Sequence, residues 1–150
     1  MATIFALSSL TVMPFWFLLI ALPKWSLTRR IARSPLIALG PALIYALLVI
    51  PRIGEVLPAV MNPDLAAIAA LLGSEAGATI AWVHFLAFDL LVGRWIYLDG
   101  HGRGISALVL APLLFFTLML GPLGLLAYLA LRAVLVPRSA IVHSASEMPL

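Results

Sequence analysis

At 150 residues and a formal net charge of +3, the chain is 64% hydrophobic and only 10% charged, against roughly 25% charged for a soluble domain. That balance excludes an ordinary water-soluble globule and indicates an integral membrane protein of one domain. The absence of cysteine excludes disulfides, thiolate metal sites and cysteine nucleophiles. The basic residues flank apolar runs and act as topology markers, not as a nucleic-acid footprint.

A bilayer core about 30 Å thick requires about 20 apolar residues per helix. Met1 to Pro23 carries no charged side chain and reads as the first span, kinked at Pro14. It lacks the basic n-region of a cleaved signal and is expected to be retained, with no plastid transit peptide ahead of it. Lys24 to Arg33 holds Lys24, Arg29, Arg30 and Arg33 and lies outside the membrane. Ser34 to Pro51 is a short second span bearing Tyr45.

In the long connection from Arg52 to Glu75, the run NPDLAAIAALLG predicts a short helix with Asn62 as cap, Pro63 in the first turn, Asp64 at the positive dipole end and Gly73 as the stop. Ala76 to Leu98 is the third span, ended by the glycine-rich turn Asp99 to Gly104. Gly104 to Leu131 is the fourth, longer than a bilayer needs, so it tilts or kinks at Gly121 to Gly124.

The predicted architecture is all-α: a bundle of four transmembrane helices over residues 1–136, with one short interfacial or re-entrant helix between the second and third spans, then a mobile tail over 137–150. Lys24, Arg29, Arg30, Arg33, Arg94 and Arg103 fall on one side, against Arg52, Arg132 and Arg138 on the other. The excess predicts a multi-pass protein of the inner (cytoplasmic) membrane with both termini outside the cytoplasm.

The third span carries the chemistry-bearing residues. A carboxylate near mid-membrane, Asp89, costs at least a few kcal/mol and marks a functional site by default. Taking up a proton lowers that cost; a neutral Asp bonded across helices as structural glue is the bland alternative. At 100° per residue, Phe88, Trp95 and Asp99 share a face with His84. Asp89 falls about 140° away, beside Trp82 and Gly93, and Arg94 lies on a third face. Partners must therefore come from other helices, chiefly Tyr45, Ser8, Ser9, Thr11, Thr117 and Tyr128, or from a loop carboxylate such as Glu75 folding back. His84 fits a proton-transfer, pigment-ligand or packing role, and no metal-ligand spacing accompanies it. Arg94 either snorkels to the surface or turns inward onto a carboxylate or an oxygenated ligand. Trp16, Trp82, Trp95 and Tyr97 read equally well as interfacial aromatics. No phosphate loop, dinucleotide fingerprint or nucleophile elbow occurs, so no cofactor is expected.

The run SEAGATIAWVHFLAFDLLVGRWIYLDG, followed by GPLGLLAYLALR, resembles the small four-span membrane-protein family of abscisic-acid-deficient plants, needed for neoxanthin synthesis and rich in uncharacterised bacterial members. Ser74, Glu75, Trp82, His84, Asp89, Arg94, Asp99, Gly100, Pro122 and Gly124 carry the match. The resemblance implies a carotenoid or other isoprenoid ligand and a redox-neutral isomerisation: an acid protonates an epoxide oxygen while a base removes a proton near the ring. His84 and Asp89 become the candidate catalytic pair. Glu75, Trp82, Arg94, Trp95 and Asp99 become candidate substrate-binding residues, and Glu75, His84, Asp89 and Arg94 are expected to converge on one site within the bundle.

Two readings stay open. In one the protein binds and isomerises a carotenoid; in the other it is a non-catalytic pigment-binding or structural subunit of a larger membrane complex. A transporter is disfavoured, because four spans without a repeat leave little room for alternating access.

Overall fold

The structure, a computed structural model, describes residues 1–135; the expected tail lies outside them. Every regular element there is helical. They are α1 (Ala2–Ala21), α2 (Ser26–Arg33), α3 (Leu39–Val49), α4 (Ile53–Met61), α5 (Leu65–Gly73), α6 (Glu75–Gly102), α7 (Ala107–Leu120) and α8 (Pro122–Leu135). Short 3-10 turns join Ser34 to α3 and α3 to α4, making Pro35–Met61 one helical segment. Three segments are long and apolar enough to cross a membrane, namely Ala2–Ala21, Pro35–Met61 and Glu75–Gly102.

α6 is the central post, touching α1, α3, α5, α7 and α8. It buries Val83, Leu90, Gly93, Tyr97 and Gly100, a helical three-and-four spacing. α1 answers with Ser8, Val12, Trp16 and Leu19. Since lipid is as apolar as the helices, close packing and not water exclusion holds such elements together, and small residues let them approach. Gly93 does this for Trp16: a Cβ there would overlap the indole ring, which is only 1% exposed. Trp16 and Tyr97 are therefore core residues and not interfacial aromatics. The Tyr97 hydroxyl donates to the Pro23 carbonyl at 2.6 Å, tying the end of α1 to α6. Ser8 and Thr11 donate back to carbonyls of their own helix at 2.7 and 2.6 Å, which satisfies hydroxyls where water is scarce.

Four local readings need correction. Asn62 closes α4, and the cap of α5 is Asp64, whose carboxylate accepts from the Ala67 amide at 3.1 Å. Residues 53–61, taken as plain connection, form α4. The helix runs past Asp99 and Gly100 to Gly102, because Gly100 packs against Leu110 and does not break the turn. The actual stop is Gly104, at φ +74°, with the Ile105 amide bonded back to the Gly100 carbonyl at 2.9 Å.

The fourth correction changes the architecture. Gly104 to Leu131 is not one helix: it breaks at Gly121, and α7 and α8 fold into an antiparallel hairpin. Leu108 and Val109 at the start of α7 meet Leu131 and Val134 near the end of α8. Each arm has 14 residues, about 21 Å at 1.5 Å per residue, shorter than a bilayer core. The tip rises only to the level of Asp89, and Arg132 returns to Asp99 at the end from which the hairpin started.

The ends of the bundle consequently differ in charge. Tyr97 meets Pro23, Arg94 meets Arg33, and Arg103 and Arg132 both meet Asp99. Lys24, Arg29, Arg30, Arg33, Arg94, Arg103 and Arg132 therefore share one end, with Arg132 moved from the side first assigned to it. Arg52 stands at the other, with Glu55, Asp64 and Glu75.

Candidate functional site

Because the hairpin stops at mid-height, the outer half of α6 keeps an open face above its tip. A groove of about 650 Å³ forms there. Trp82, His84, Phe88 and Asp89 of α6 line one wall, and Leu118, Gly121 and Pro122 of the hairpin tip line the other. The lining is chiefly apolar, and its titratable groups are His84 and Asp89.

Asp89 sits at the foot of the groove, half-buried, against the hairpin tip. A Cβ on Gly121 would overlap its carboxylate oxygen Oδ1. Gly121 adopts φ +23° and ψ −86°, a conformation L side chains rarely take. Among the described residues, no side chain donates a hydrogen bond to this carboxylate. Its lone pairs are left to a ligand, to water or to its own proton.

His84 is exposed and held by rings. Phe88 stacks on it at 4.6 Å between centroids and 26°, and Tyr45 of α3 tilts against it at 5.4 Å. His84 and Phe85 also border a second, smaller cavity of about 310 Å³ between α6 and the α3–α5 segment. The imidazole thus stands on the ridge between two apolar hollows.

The expected convergence of Glu75, His84, Asp89 and Arg94 on one centre does not occur. Trp82, His84 and Asp89 share the groove. Trp82 is fixed by stacking on Phe5 at 5.1 Å and by donating to the Ser9 hydroxyl at 3.1 Å. Glu75 lies about two and a half turns above His84, beside Met1 and Phe5; α5 packs along α6 and α4 against α5, and neither folds it inward. Arg94 points to the basic end and donates to the Arg33 carbonyl at 3.0 Å. Among the described residues it pairs with no carboxylate, and it does not line the groove.

Trp95 and Asp99 belong to a separate polar node that holds the hairpin. The Asp99 carboxylate accepts from the Tyr128 hydroxyl and from Arg103 Nε at 2.8 Å, with Arg132 Nε at 3.5 Å. Trp95 meets Tyr128 edge-on at 5.4 Å and carries the Arg132 guanidinium 5.7 Å above its ring. Gly124 completes the fit, since a Cβ there would strike the Thr117 backbone across the turn. Reading the sequence missed Gly121 and Arg132 as members of these arrangements. GPLG suggested a kink, and only the fold-back reveals what the glycines and the arginine face.

The family profile described as ABA DEFICIENT 4-like matches residues 3–128. The chain is also 30% identical over 141 residues to Protein ABA DEFICIENT 4, chloroplastic, of Arabidopsis thaliana, a match covering 89% of this chain and 62% of that protein. The chain thus spans less than two thirds of that relative's length. No solved structure matches it. The motif residues singled out above all lie within the matched region, so the likeness takes in the groove and the hairpin as far as Tyr128. The chain belongs to the ABA DEFICIENT 4-like family.

Proposed function

We propose that the protein is a multi-pass membrane protein that binds a carotenoid or related isoprenoid in the groove above the hairpin tip and isomerises it by proton transfer. Three helical segments cross the bilayer in this reading, and α7–α8 enters from the basic end and returns to it. That end faces the cytoplasm, following the excess of basic residues there. In this reading the N-terminus lies outside the cytoplasm, and α8 ends on the cytoplasmic side.

The observation that carries the proposal is the groove itself: a chiefly apolar trough open on the side of the bundle, whose titratable lining groups are one carboxyl and one imidazole. Such a trough favours a ligand that arrives through the membrane and offers a single oxygenated end. In its protonated form Asp89 gives a proton to an epoxide oxygen and the carbon–oxygen bond opens. His84 takes a proton from the neighbouring carbon, whose electron pair forms the new double bond. Return of the proton from His84 to Asp89 closes the cycle, with no net redox change. Family membership supports the carotenoid side of the reading, through the resemblance to proteins needed for neoxanthin synthesis.

The test is co-expression of the full chain with a pathway that accumulates epoxycarotenoids, followed by pigment analysis. An allenic product supports the isomerase. Retention of unaltered pigment by the purified protein supports the binding subunit instead, and neither product nor pigment sinks both.

A further inference from the structure

We propose that the recess formed by α2 at the basic end is a binding site for the phosphate headgroup of an anionic glycerolipid. α2 is eight residues long and buries Thr28 and Ala32 against the bundle, while the Thr28 hydroxyl donates to the Leu22 carbonyl at 2.8 Å and fixes the helix to the end of α1. The other face carries Arg29, Arg30 and Arg33, which with Ser26 and Leu27 enclose about 510 Å³.

Among the described residues no carboxylate lines this recess, and both ion pairs found there are made by Asp99, on the hairpin node. Three guanidinium groups around one hollow repel one another unless an anion lies among them. Their donors, joined by the Ser26 hydroxyl, suit the tetrahedral oxygens of a phosphate.

The surroundings select a lipid over a free anion. Trp25, beside the recess, is 49% exposed, and Leu36, two residues beyond α2's C-cap, is 67% exposed. Leu22, Leu27 and Leu39 add exposed apolar surface. A ligand with a phosphate and acyl chains satisfies both parts at once. A short basic amphipathic helix at the foot of a span is placed at headgroup depth.

The experiment compares the thermal midpoint of the full chain in phosphatidylcholine vesicles, in the same vesicles containing phosphatidylglycerol, and in phosphatidylcholine with added inorganic phosphate. Phosphatidylglycerol is expected to raise the midpoint, and inorganic phosphate to leave it unchanged. Replacing Arg29, Arg30 and Arg33 by Gln should remove at least half of that rise, and Arg30→Gln alone a smaller part. Arg52→Gln, a charge loss at the opposite end, should keep it whole. If the triple variant does not fold, the contrast between Arg30→Gln and Arg52→Gln decides. Equal shifts in those two, or an equal rise with inorganic phosphate, overturn the proposal.

Discussion

The Asp89 carboxylate occupies the space into which a Cβ on Gly121 would project. Two segments separated by the whole of α7 thus meet at one point, and the groove's acid is braced by the backbone of the hairpin tip. Gly121→Ala should cost about 1–3 kcal/mol, from the unfavourable backbone conformation together with the overlap. Only the overlap depends on Asp89. In an Asp89→Ala background the cost of Gly121→Ala should therefore be smaller, with the backbone part remaining. Apparent melting temperatures of the four proteins in one detergent measure this. Equal costs in both backgrounds would show that the two residues do not bear on each other.

The hairpin predicts a labelling pattern that a fourth crossing forbids. Ser26 and Ala133 are both exposed and stand at the basic end, whereas Asn62 is exposed at the other. The chain has no cysteine, so single cysteines at these positions report cleanly. In sealed inverted vesicles, Ser26→Cys and Ala133→Cys should react together with an impermeant thiol reagent, and Asn62→Cys should not. Ala133→Cys behaving like Asn62→Cys would make Gly104–Leu135 a crossing and would undo the groove as described.

The Asp99 node should control how firmly the hairpin is held. Tyr128 is fully buried, and its hydroxyl donates to Asp99. A hydrogen bond to a charged acceptor contributes about 1.5–3 kcal/mol, so Tyr128→Phe should lower stability by that order. The Arg103 and Arg132 pairs are partly exposed and add less. Proteolysis within residues 103–106 should quicken in Tyr128→Phe if the node is the anchor. Unchanged melting and unchanged cleavage would assign the anchoring to apolar packing of α7 and α8 alone.

Much of this fold is visible in the sequence, for a physical reason. Uncharged runs of about 20 residues have few fates other than spanning a bilayer, so α1 and α6 are located to within a few residues. The polar partners on other helices are foreseeable only in part. Tyr45 meets His84 as the short list of polar side chains allows, but Arg94 takes the Arg33 carbonyl, and Ser9 and Tyr128 serve Trp82 and Asp99 instead.

What the sequence hides is the difference between a kink and a reversal. Gly121 to Gly124 within 28 apolar residues is compatible with either, and the choice moves Arg132 from one end of the bundle to the other. Rotational angles on α6 separate Asp89 from His84, yet they do not disclose that a hairpin tip stops at the level of Asp89. They cannot show that this stop divides the candidates into a groove and a node.

The last prediction separates chemistry from packing at the groove. Asp89→Asn preserves size and hydrogen-bonding capacity but removes the proton that can be given away. Asp89 makes no hydrogen bond to another side chain among the described residues, so folding should change little, by well under the roughly 1 kcal/mol of an average hydrogen bond. Product formation should fall at least a hundredfold, within the range that loss of a general acid produces. His84 stacks on Phe88 and touches Tyr45, so His84→Gln removes both a proton acceptor and a wall of the groove. It should lower pigment retention as well as turnover. The assay is the same co-expression, with pigment per folded protein measured beside product for wild type and each variant. A wild type that forms product and an Asp89→Asn that forms as much would exclude the carboxyl as the acid. An Asp89→Asn that fails to fold would instead identify Asp89 as the residue that seats the hairpin tip, and the binding-subunit reading would then replace the isomerase.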